Sequence, residues 1–549
     1  MNITFTTSFL HIYDTPYDHR NNEWRIERFK ELASTGIQIA LFISPEFESI
    51  MKELSIVYSR IRILRVLTIR ETRFWKLWSA EKKDQLPINR TLEKDTIEYL
   101  CLMNSKIEFL GDTIRTNPFS SDYFAWIDFN ITHVFKELKK SLEFIQFLGH
   151  CHYGGRFLTI PGCWPKKELT LDAICWRFCG GFFIGDRESQ LDFERKVFER
   201  AEEISPTWEV NLWALIELEE KIAPFWFSAD HNDSMVRNIP ARNYSRVLNS
   251  RIEWREIQYP FIKHFQPSSI SYCSYQGRDI VNVRMLNYHL SPNGLYYYPS
   301  GKAKIENINL CTHPCGPNIS VGGFTKMREK GLGLKEIEAF SAGLEDVRIF
   351  QNARGKLRFI ATSVGYSSDE RNQMIIGDYD DVLFEFRNGR VIESPFGASC
   401  EKNWIPLPFG VDDEEYFIYS WHPYRIGKVV QGETRLAIVE EGVLSSPIFE
   451  KIRGSTIFFP WEGKYLGVVH FSENESPRHY FHMLVILDEK GRQPILFSQP
   501  FRFYEELGIE FCIGFCIKGD TYYFWVSHFD REPRLFILSK EQIKNLFIF

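Results

Sequence analysis

The chain has 549 residues, more than one ordinary core holds, so two or three domains are expected. Its 44% of hydrophobic residues excludes a disordered chain, and a net charge of −6 excludes a general nucleic-acid binder. Eleven cysteines at irregular spacing fit reduced thiols in a cytoplasmic protein.

Met1 to Leu10 lacks a basic flank followed by a long apolar run, so no signal peptide is expected. No window is apolar for long enough to span a bilayer, which leaves at most a peripheral place at a membrane. Ile3 to Leu10 reads as a first strand that carries the hydroxyls of Thr6, Thr7 and Ser8. A polar loop, His11 to Asn22, leads to a helix over Glu23 to Leu32, stopped by Gly36. Ile37 to Ile43 is a second strand and Ile61 to Leu67 a third, with a helix over Phe47 to Leu54 between them. Strands alternating with helices predict a mostly parallel sheet with crossover helices.

Lys94 to Leu110 reads as a strong helix, with Ile97, Leu100, Cys101, Asn104 and Ile107 near one face and Lys106 on another. The next apolar run, Tyr123 to Ile127, ends abruptly at Asp128, with Asn130 two residues on. Residues i and i+2 of an extended segment point to one side, so Asp128 and Asn130 aim their oxygens at one point past a strand end. Open α/β sheets bind ligands there, and hard cations take such oxygen ligands. On composition alone most Asp-x-Asn triplets are turns or strand ends; what lifts this one is its position after an apolar strand inside an α/β pattern.

Phe157 to Gly162 is a short strand and turn, and Arg177 to Gly185 is punctuated by Gly180 and Gly181, which permit close backbone approach to a ligand or form an ordinary turn. Helices over Glu188 to Glu203 and Thr207 to Glu219 follow, and the α/β pattern ends near Phe225 to Asp233. Cys151, His152, Cys163, Cys175 and Cys179 suggest zinc but lack finger spacing, so buried structural thiols are expected instead.

Phe5-Thr6-Thr7-Ser8-Phe9, Ser105-Lys106-Ile107-Glu108-Phe109-Leu110, Trp126-Ile127-Asp128, Cys179-Gly180-Gly181-Phe182-Phe183-Ile184-Gly185 and the late His231 together resemble the HtrL/YibB-type bacterial proteins. Those belong with GT-A-like glycosyltransferases, some of which act on lipopolysaccharide core sugars. The resemblance covers about residues 1–240. It implies a nucleotide-diphosphate sugar donor, a divalent cation (manganese, or magnesium), and a glycan or glycolipid acceptor. On that reading Asp128, Asn130 and His231 hold the metal, although Asn130 stands where many GT-A enzymes have a second aspartate. Thr6, Thr7 and Ser8 lie near the base or ribose, Lys106 near the diphosphate, and Gly180 and Gly181 border the sugar. Glu209 is either the catalytic base, or acceptor-orienting carboxylate, or a helix-start glutamate favoured by the dipole.

From residue 245 strong helices become rare and short alternating runs dominate. Five loosely similar units centre on Ile280–Arg284, Leu344–Phe350, Asn403–Leu407, Tyr465–His470 and Ile509–Gly514, about 45–65 residues apart, near the length of propeller blades. Polar residues interrupt these runs: Asn282, Arg284, Asp346, Arg348, Lys402, Asn403, His470 and Glu510. They either line a central channel or bond one another to close the ring. Trp404, Trp421, Tyr424 and Trp461 either stack on sugar rings or fill the blade cores.

Glu345-Asp346-Val347-Arg348 resembles the Glu-Asp-Pro-Arg motif in five-bladed propellers of glycan-active enzymes, with valine in place of proline. Similar propellers occur among mannoside phosphorylases and β-mannosyltransferases, and the resemblance covers about residues 265–549. Asp346 then serves either as a catalytic acid or base, with Arg348 holding a phosphate or carboxylate, or the two form a structural ion pair across a blade.

The expected architecture is a GT-A-like α/β domain over 1–240, a linker over 241–265 and an all-β five-bladed propeller over 266–549. The expected function is a bifunctional glycosyltransferase. The alternatives are a single transferase with a glycan-binding propeller, and a propeller hydrolase or phosphorylase with an accessory N-terminal domain.

Overall fold

The computed structural model describes residues 2–13, 20–79, 82–248, 252–299, 301–315, 320–321, 323–368, 370–409, 414–430, 432–444 and 450–547. The chain divides into two compact units between Tyr244 and Ser245.

The N-terminal unit is built on one seven-stranded sheet. Its strands are β1 (Ile3–Phe9), β2 (Ile39–Ile43), β3 (Ile61–Val66), β4 (Tyr123–Ile127), β5 (Leu158–Gly162), β6 (Phe182–Asp186) and β7 (Phe225–Ser228), in the order β3-β2-β1-β4-β6-β5-β7. β1 pairs in parallel with β2 and with β4, and β5 with β7; β6 runs antiparallel to both of its neighbours. Every residue of β2 and β4 is buried, as in strands covered by helices on both faces. The chain moves outward from β1 through β2 to β3, then returns to the other side of β1 for β4. Strand order therefore reverses between β1 and β4, where an open α/β sheet leaves a crevice at its carboxyl rim.

The crossovers include α1 (Asn22–Ala33), α2 (Glu48–Val57), α3 (Arg73–Trp78), α4 (Ile97–Thr116), α5 (Leu138–His150), α6 (Arg187–Glu203) and α7 (Glu209–Leu218). Thr96 starts α4 by accepting the Tyr99 N–H, and Asn117 ends it in the left-handed region at φ 43°. α4 packs on β1 and β4 and is covered by α3 and α6. It therefore buries not only Leu100, Cys101, Ile107 and Leu110 but also Asn104, Ser105, Lys106 and Glu108. Each of the apolar side chains contributes about 1.5–3 kcal/mol; the polar ones need partners. Two of these crossover helices went unforeseen in the sequence. α3 is short, and α5 opens on Leu138-Lys139-Lys140, which hides an amphipathic stretch burying Phe144, Ile145 and Leu148.

The C-terminal unit is all-β apart from short helical turns. Among the described residues five larger, mainly antiparallel sheets follow in chain order. They open with Gln266–Tyr275, Glu345–Gln351, Ile405–Pro406, Arg453–Gly454 and Glu510–Lys518. The strand Gln266–Tyr275 packs on Glu345–Gln351 of the second sheet and on Glu510–Lys518 of the fifth. The second and third sheets share a core of Phe350, Ile360, Phe417 and Val429. The third sheet meets the fourth at Arg453–Gly454, and the fourth meets the fifth at Glu510–Lys518. The sheets thus close into a ring.

Within residues 241–265, expected as a linker, the described residues include regular structure. Ala241–Tyr244 is a helical turn. Arg246–Val247 pairs in parallel with Phe501–Arg502 of the fourth sheet, and Glu253–Glu256 pairs with Arg531–Ser539 as the outer strand of the fifth. Covering sheet edges satisfies backbone groups that would otherwise be open to other chains, and the charged sequence Glu253-Trp254-Arg255-Glu256 disguises this as a loop. Two of the expected unit centres, Ile280–Arg284 and Tyr465–His470, fall on strands after the opening strand of their sheets. Among the described residues no helix is long and apolar enough to cross a membrane.

Candidate functional site

The reversal point between β1 and β4 holds a cleft of about 250 Å³. Ser8 to Tyr13 line it from the end of β1, Asp128 to Asn130 from the end of β4, and Tyr99, Met103 and Lys106 from α4. Arg20 and Arg25 add two cations. Asp128 Oδ1 accepts the Trp126 indole N–H at 2.8 Å and lies 3.2 Å from Lys106 Nζ. The Asp128 side chain remains 37% exposed, so its carboxylate stays open to the cleft.

Lys106 is buried yet fully used. Its ammonium, with three N–H donors, donates to Gly180 O at 2.9 Å and Glu209 Oε1 at 3.0 Å, and faces Asp128 Oδ1. Burial pushes its pKa down, but the charges of Asp128 and Glu209 outweigh burial and hold it above the usual lysine value. Lys106 is therefore a cation at neutral pH, and it fixes Asp128 from behind. Gly180 is a glycine by necessity: a Cβ there would stand 2.2 Å from Glu209 Oε1.

Several expected residues lie elsewhere. Thr6 and Thr7 are buried inside β1, and their hydroxyls have no hydrogen-bond partner among the described residues. The strand runs on to Phe9, so the rim of the sheet begins at Ser8 and only Ser8 of that trio lines the cleft. Glu209 is the first residue of α7, buried behind Lys106, which it holds, and it does not line this cleft. Gly181 is close to the site: its carbonyl accepts the Asp128 N–H at 2.9 Å. Asn130 lines the cleft with Asp128, whereas His231 lines a different groove, with Cys163.

The C-terminal unit has its own cleft, about 470 Å³, walled by strands and loops of its sheets. Of the residues proposed for a central channel, Arg284, Asp346, Lys402, Asn403 and His470 line it. Asp346 Oδ1 pairs with Arg284 Nη1 at 3.1 Å, and Lys402 Nζ donates to Glu345 Oε1 at 2.8 Å. Arg348 does not pair with the Asp346 carboxylate; it reaches only the Asp346 carbonyl, and otherwise donates to Ser455 O and Asn403 Oδ1 across the ring. Burial pushes its pKa down to about 10. Asn282 bonds Asn309 and Tyr379, and Glu510 accepts the N–H groups of Phe503 and Tyr504. These three polar residues serve the ring, as buried polar groups commonly do. Trp404 and Trp421 are buried in the sheets, and Tyr424 donates to Arg492 O. Trp461 donates to the Tyr522 hydroxyl.

Asp530 and Glu345 complete the cleft and were not singled out as catalytic candidates in the sequence. Asp530 Oδ2 accepts the Tyr288 hydroxyl at 2.9 Å. Burial raises the Asp530 pKa, Arg284 and Tyr288 oppose this, and the charges of Asp346 and Glu345 raise it further. Burial also acts to raise Glu345, but Lys402 and Arg284 outweigh it and hold the carboxyl below its ordinary range. Two carboxyls of one cleft are thus driven apart. Asp346, Asn403 and Asp530 all take left-handed backbone, at φ 53°, 66° and 56°; such conformers gather at functional sites, and Asn and Asp tolerate them best. The sequence signal for Asp530 was a hairpin turn between Thr521–His528 and Arg531–Ser539, which carries no chemistry on its face.

No known protein family and no curated protein matches the chain. Among solved structures, a β-1,2-mannobiose phosphorylase from Listeria innocua is similar at 13% identity and a TM-score of 0.36, covering 53% of this chain and 94% of that one. A mannose phosphorylase from Leishmania mexicana, solved with phosphate, is similar at 12% identity and a TM-score of 0.34, covering 53% and 89%. An enzyme from Xanthomonas citri solved with xylotriose is similar at 11% identity and a TM-score of 0.35, covering 52% and 90%. These likenesses decide neither fold nor chemistry, which rest on the sheets and side chains described above.

Proposed function

We propose that the protein is a carbohydrate-active enzyme with two sites, in which the N-terminal unit is a GT-A-like transferase that binds a nucleotide-diphosphate sugar. The observation that carries this reading is the placing of Asp128. It stands at the carboxyl end of β4, where strand order reverses, with one oxygen fixed by Lys106 and Trp126 and its carboxylate open to a cleft that also holds Arg20 and Arg25. Such a rim suits a diphosphate: cations spread along one wall neutralise the leaving group, and a crevice beside β1 receives a nucleoside.

A hard divalent cation, manganese or magnesium, fits the oxygen donors of Asp128 and Asn130, and when bound it would neutralise charge on the departing diphosphate. The chain's own contribution is orientation. Lys106 holds Asp128 in one rotamer, Glu209 and Gly180 hold Lys106, and α4 excludes water from behind the pair.

The test is thermal stability of the full chain with nucleoside diphosphates, with and without manganese. Ligand binding raises apparent stability by mass action. A shift that needs both components, and that is lost in Asp128→Ala, supports the reading. A shift unchanged in Asp128→Ala defeats it.

A second reading, a glycoside hydrolase or phosphorylase built on a five-bladed propeller, is favoured by the opposed pKa shifts of Asp530 and Glu345. Groups driven apart in this way mark an acid and a base. On this reading Asp530 protonates the leaving oxygen and Glu345, kept ionised by Lys402 and Arg284, is the second carboxylate. Glycan cleavage that survives in both Asp530→Asn and Glu345→Gln would exclude it.

A further inference from the structure

At the same sheet rim, beyond β6, three side chains that are distant in sequence meet. Cys163 follows the end of β5, Cys179 precedes the Gly180-Gly181 strap into β6, and His231 follows the end of β7. Cys163 Sγ stands 3.6 Å from Cys179 Sγ and 3.8 Å from His231 Nδ1. All three donor atoms lie within 4.8 Å of one another. Asp230 Oδ1 is also 3.8 Å from Cys163 Sγ.

We propose that Cys163, Cys179 and His231 bind a thiophilic divalent cation, zinc by the chemistry of the set. Metal–sulfur bonds of about 2.3 Å and metal–nitrogen bonds of about 2.0 Å put the corners of a tetrahedron about 3.5–3.8 Å apart. The Cys163–Cys179 and Cys163–His231 separations match those edges, and the third pair lies within 4.8 Å. Two thiolates and an imidazole select zinc over magnesium or manganese, which prefer oxygen. The ligands sit on braced backbone: the Cys163 N–H donates to Trp176 O at 3.1 Å and the Cys179 N–H to Pro161 O at 2.7 Å. The His231 ring rests edge-on against Trp176, with centroids 4.3 Å apart. The fourth position is left to Asp230 or to a water from the groove that Cys163 and His231 line.

The site has a structural consequence. Cys179 adjoins Gly180, whose carbonyl receives the Lys106 ammonium. A cation that clamps Cys179 to β5 and β7 therefore steadies one of the three acceptors that orient Lys106. The inference stands whether or not the neighbouring cleft binds a nucleotide.

Elemental analysis of the purified, reduced and desalted full-length chain is expected to find about one zinc per chain. With Co²⁺ in place of zinc, sulfur-to-cobalt charge-transfer absorption and strong visible bands of four-coordinate cobalt are expected. The double variant Cys163→Ser, Cys179→Ser loses both signals. Cys400→Ser, an exposed thiol of the other unit, keeps both. Asp128→Ala also keeps both, which separates this site from the cleft. Absence of the charge-transfer band in reduced wild-type protein overturns the proposal, however the variants fold. A non-reduced chain lighter by a pair of hydrogens, with Cys163 joined to Cys179 and no metal uptake after reduction, overturns it too.

Discussion

Lys106 and Glu209 stand 3.0 Å apart, each nearly sealed from solvent, and their side chains come from elements 103 residues apart in the chain. The pair is the hub of the N-terminal site: it fixes Asp128 on one side and the Gly180 carbonyl on the other. Taking an ammonium out of water costs several kcal/mol, and only complete pairing offsets it.

Glu209→Gln is therefore expected to destabilise the N-terminal unit by about 3 kcal/mol, the low end for breaking a buried pair because Asp128 remains. Lys106→Met combined with Glu209→Gln should recover much of that loss. Denaturant unfolding followed by circular dichroism measures both; a single-variant loss no larger than that of the double variant contradicts the pairing. The pH dependence has a definite sign. Lys106 is held above its unfolded value, so its contribution is fully present at neutral pH and fades as pH rises through the folded value in the alkaline range.

Gly180→Ala tests the close approach. Its Cβ would meet Glu209 Oε1 at 2.2 Å and Lys106 Nζ at 3.2 Å, and neither can swing away without breaking the hub. A loss of about 1–3 kcal/mol is expected from this overpacking. Gly154→Ala is the control, because nothing lies within 4 Å of a Cβ there. Equal melting temperatures for the two variants contradict the argument.

The parallel part of the sheet was legible because β2 and β4 are unbroken apolar runs, which only doubly covered strands require. Asp128 was legible for the same reason, as a carboxylate that ends such a run. Lys106 and Glu209 were visible as residues, but their pairing was not, because helical spacing puts Lys106 on a polar face and says nothing of α6 and α7 closing over it. Similarly, Asn282 and Arg284 sit two apart on one strand and look equivalent. Asn282 bonds Asn309 on the neighbouring strand, two residues off the register pairing, and Tyr379 of the second sheet, while Arg284 reaches Asp346 of the second sheet, 62 residues on. The Cys163–Cys179–His231 cluster escaped finger spacing because three separate strand ends supply it.

Asp530→Asn is expected to leave the C-terminal unit at least as stable as wild type at neutral pH. The folded state raises the Asp530 pKa, so its contribution is favourable only while the carboxyl is protonated and turns unfavourable as pH rises through the folded value. An amide escapes that cost and still accepts from the Tyr288 hydroxyl. Glu345 has the opposite sign: its contribution is present above the unfolded value and is lost as pH falls through the depressed one. Thermal melts of wild type and Asp530→Asn across pH 4–8 check this; a variant less stable than wild type at the alkaline end contradicts the assignment.

Trp126→Phe isolates the orientation of Asp128. The indole N–H donates to Asp128 Oδ1 at 2.8 Å, and phenylalanine keeps the buried ring while removing that donor. Lys106 still faces the same oxygen, so the carboxylate stays in place but loses one of its two restraints. Removing such an outer hydrogen bond costs about 10–100-fold in metal affinity where a carboxylate is a ligand. Manganese-dependent binding of a nucleoside diphosphate is therefore expected to weaken within that range, measured by calorimetry, with the melting temperature of the free protein little changed. Unaltered affinity would mean that the Asp128 carboxylate does not touch the cation, and the role assigned to the β4 rim would fall with it.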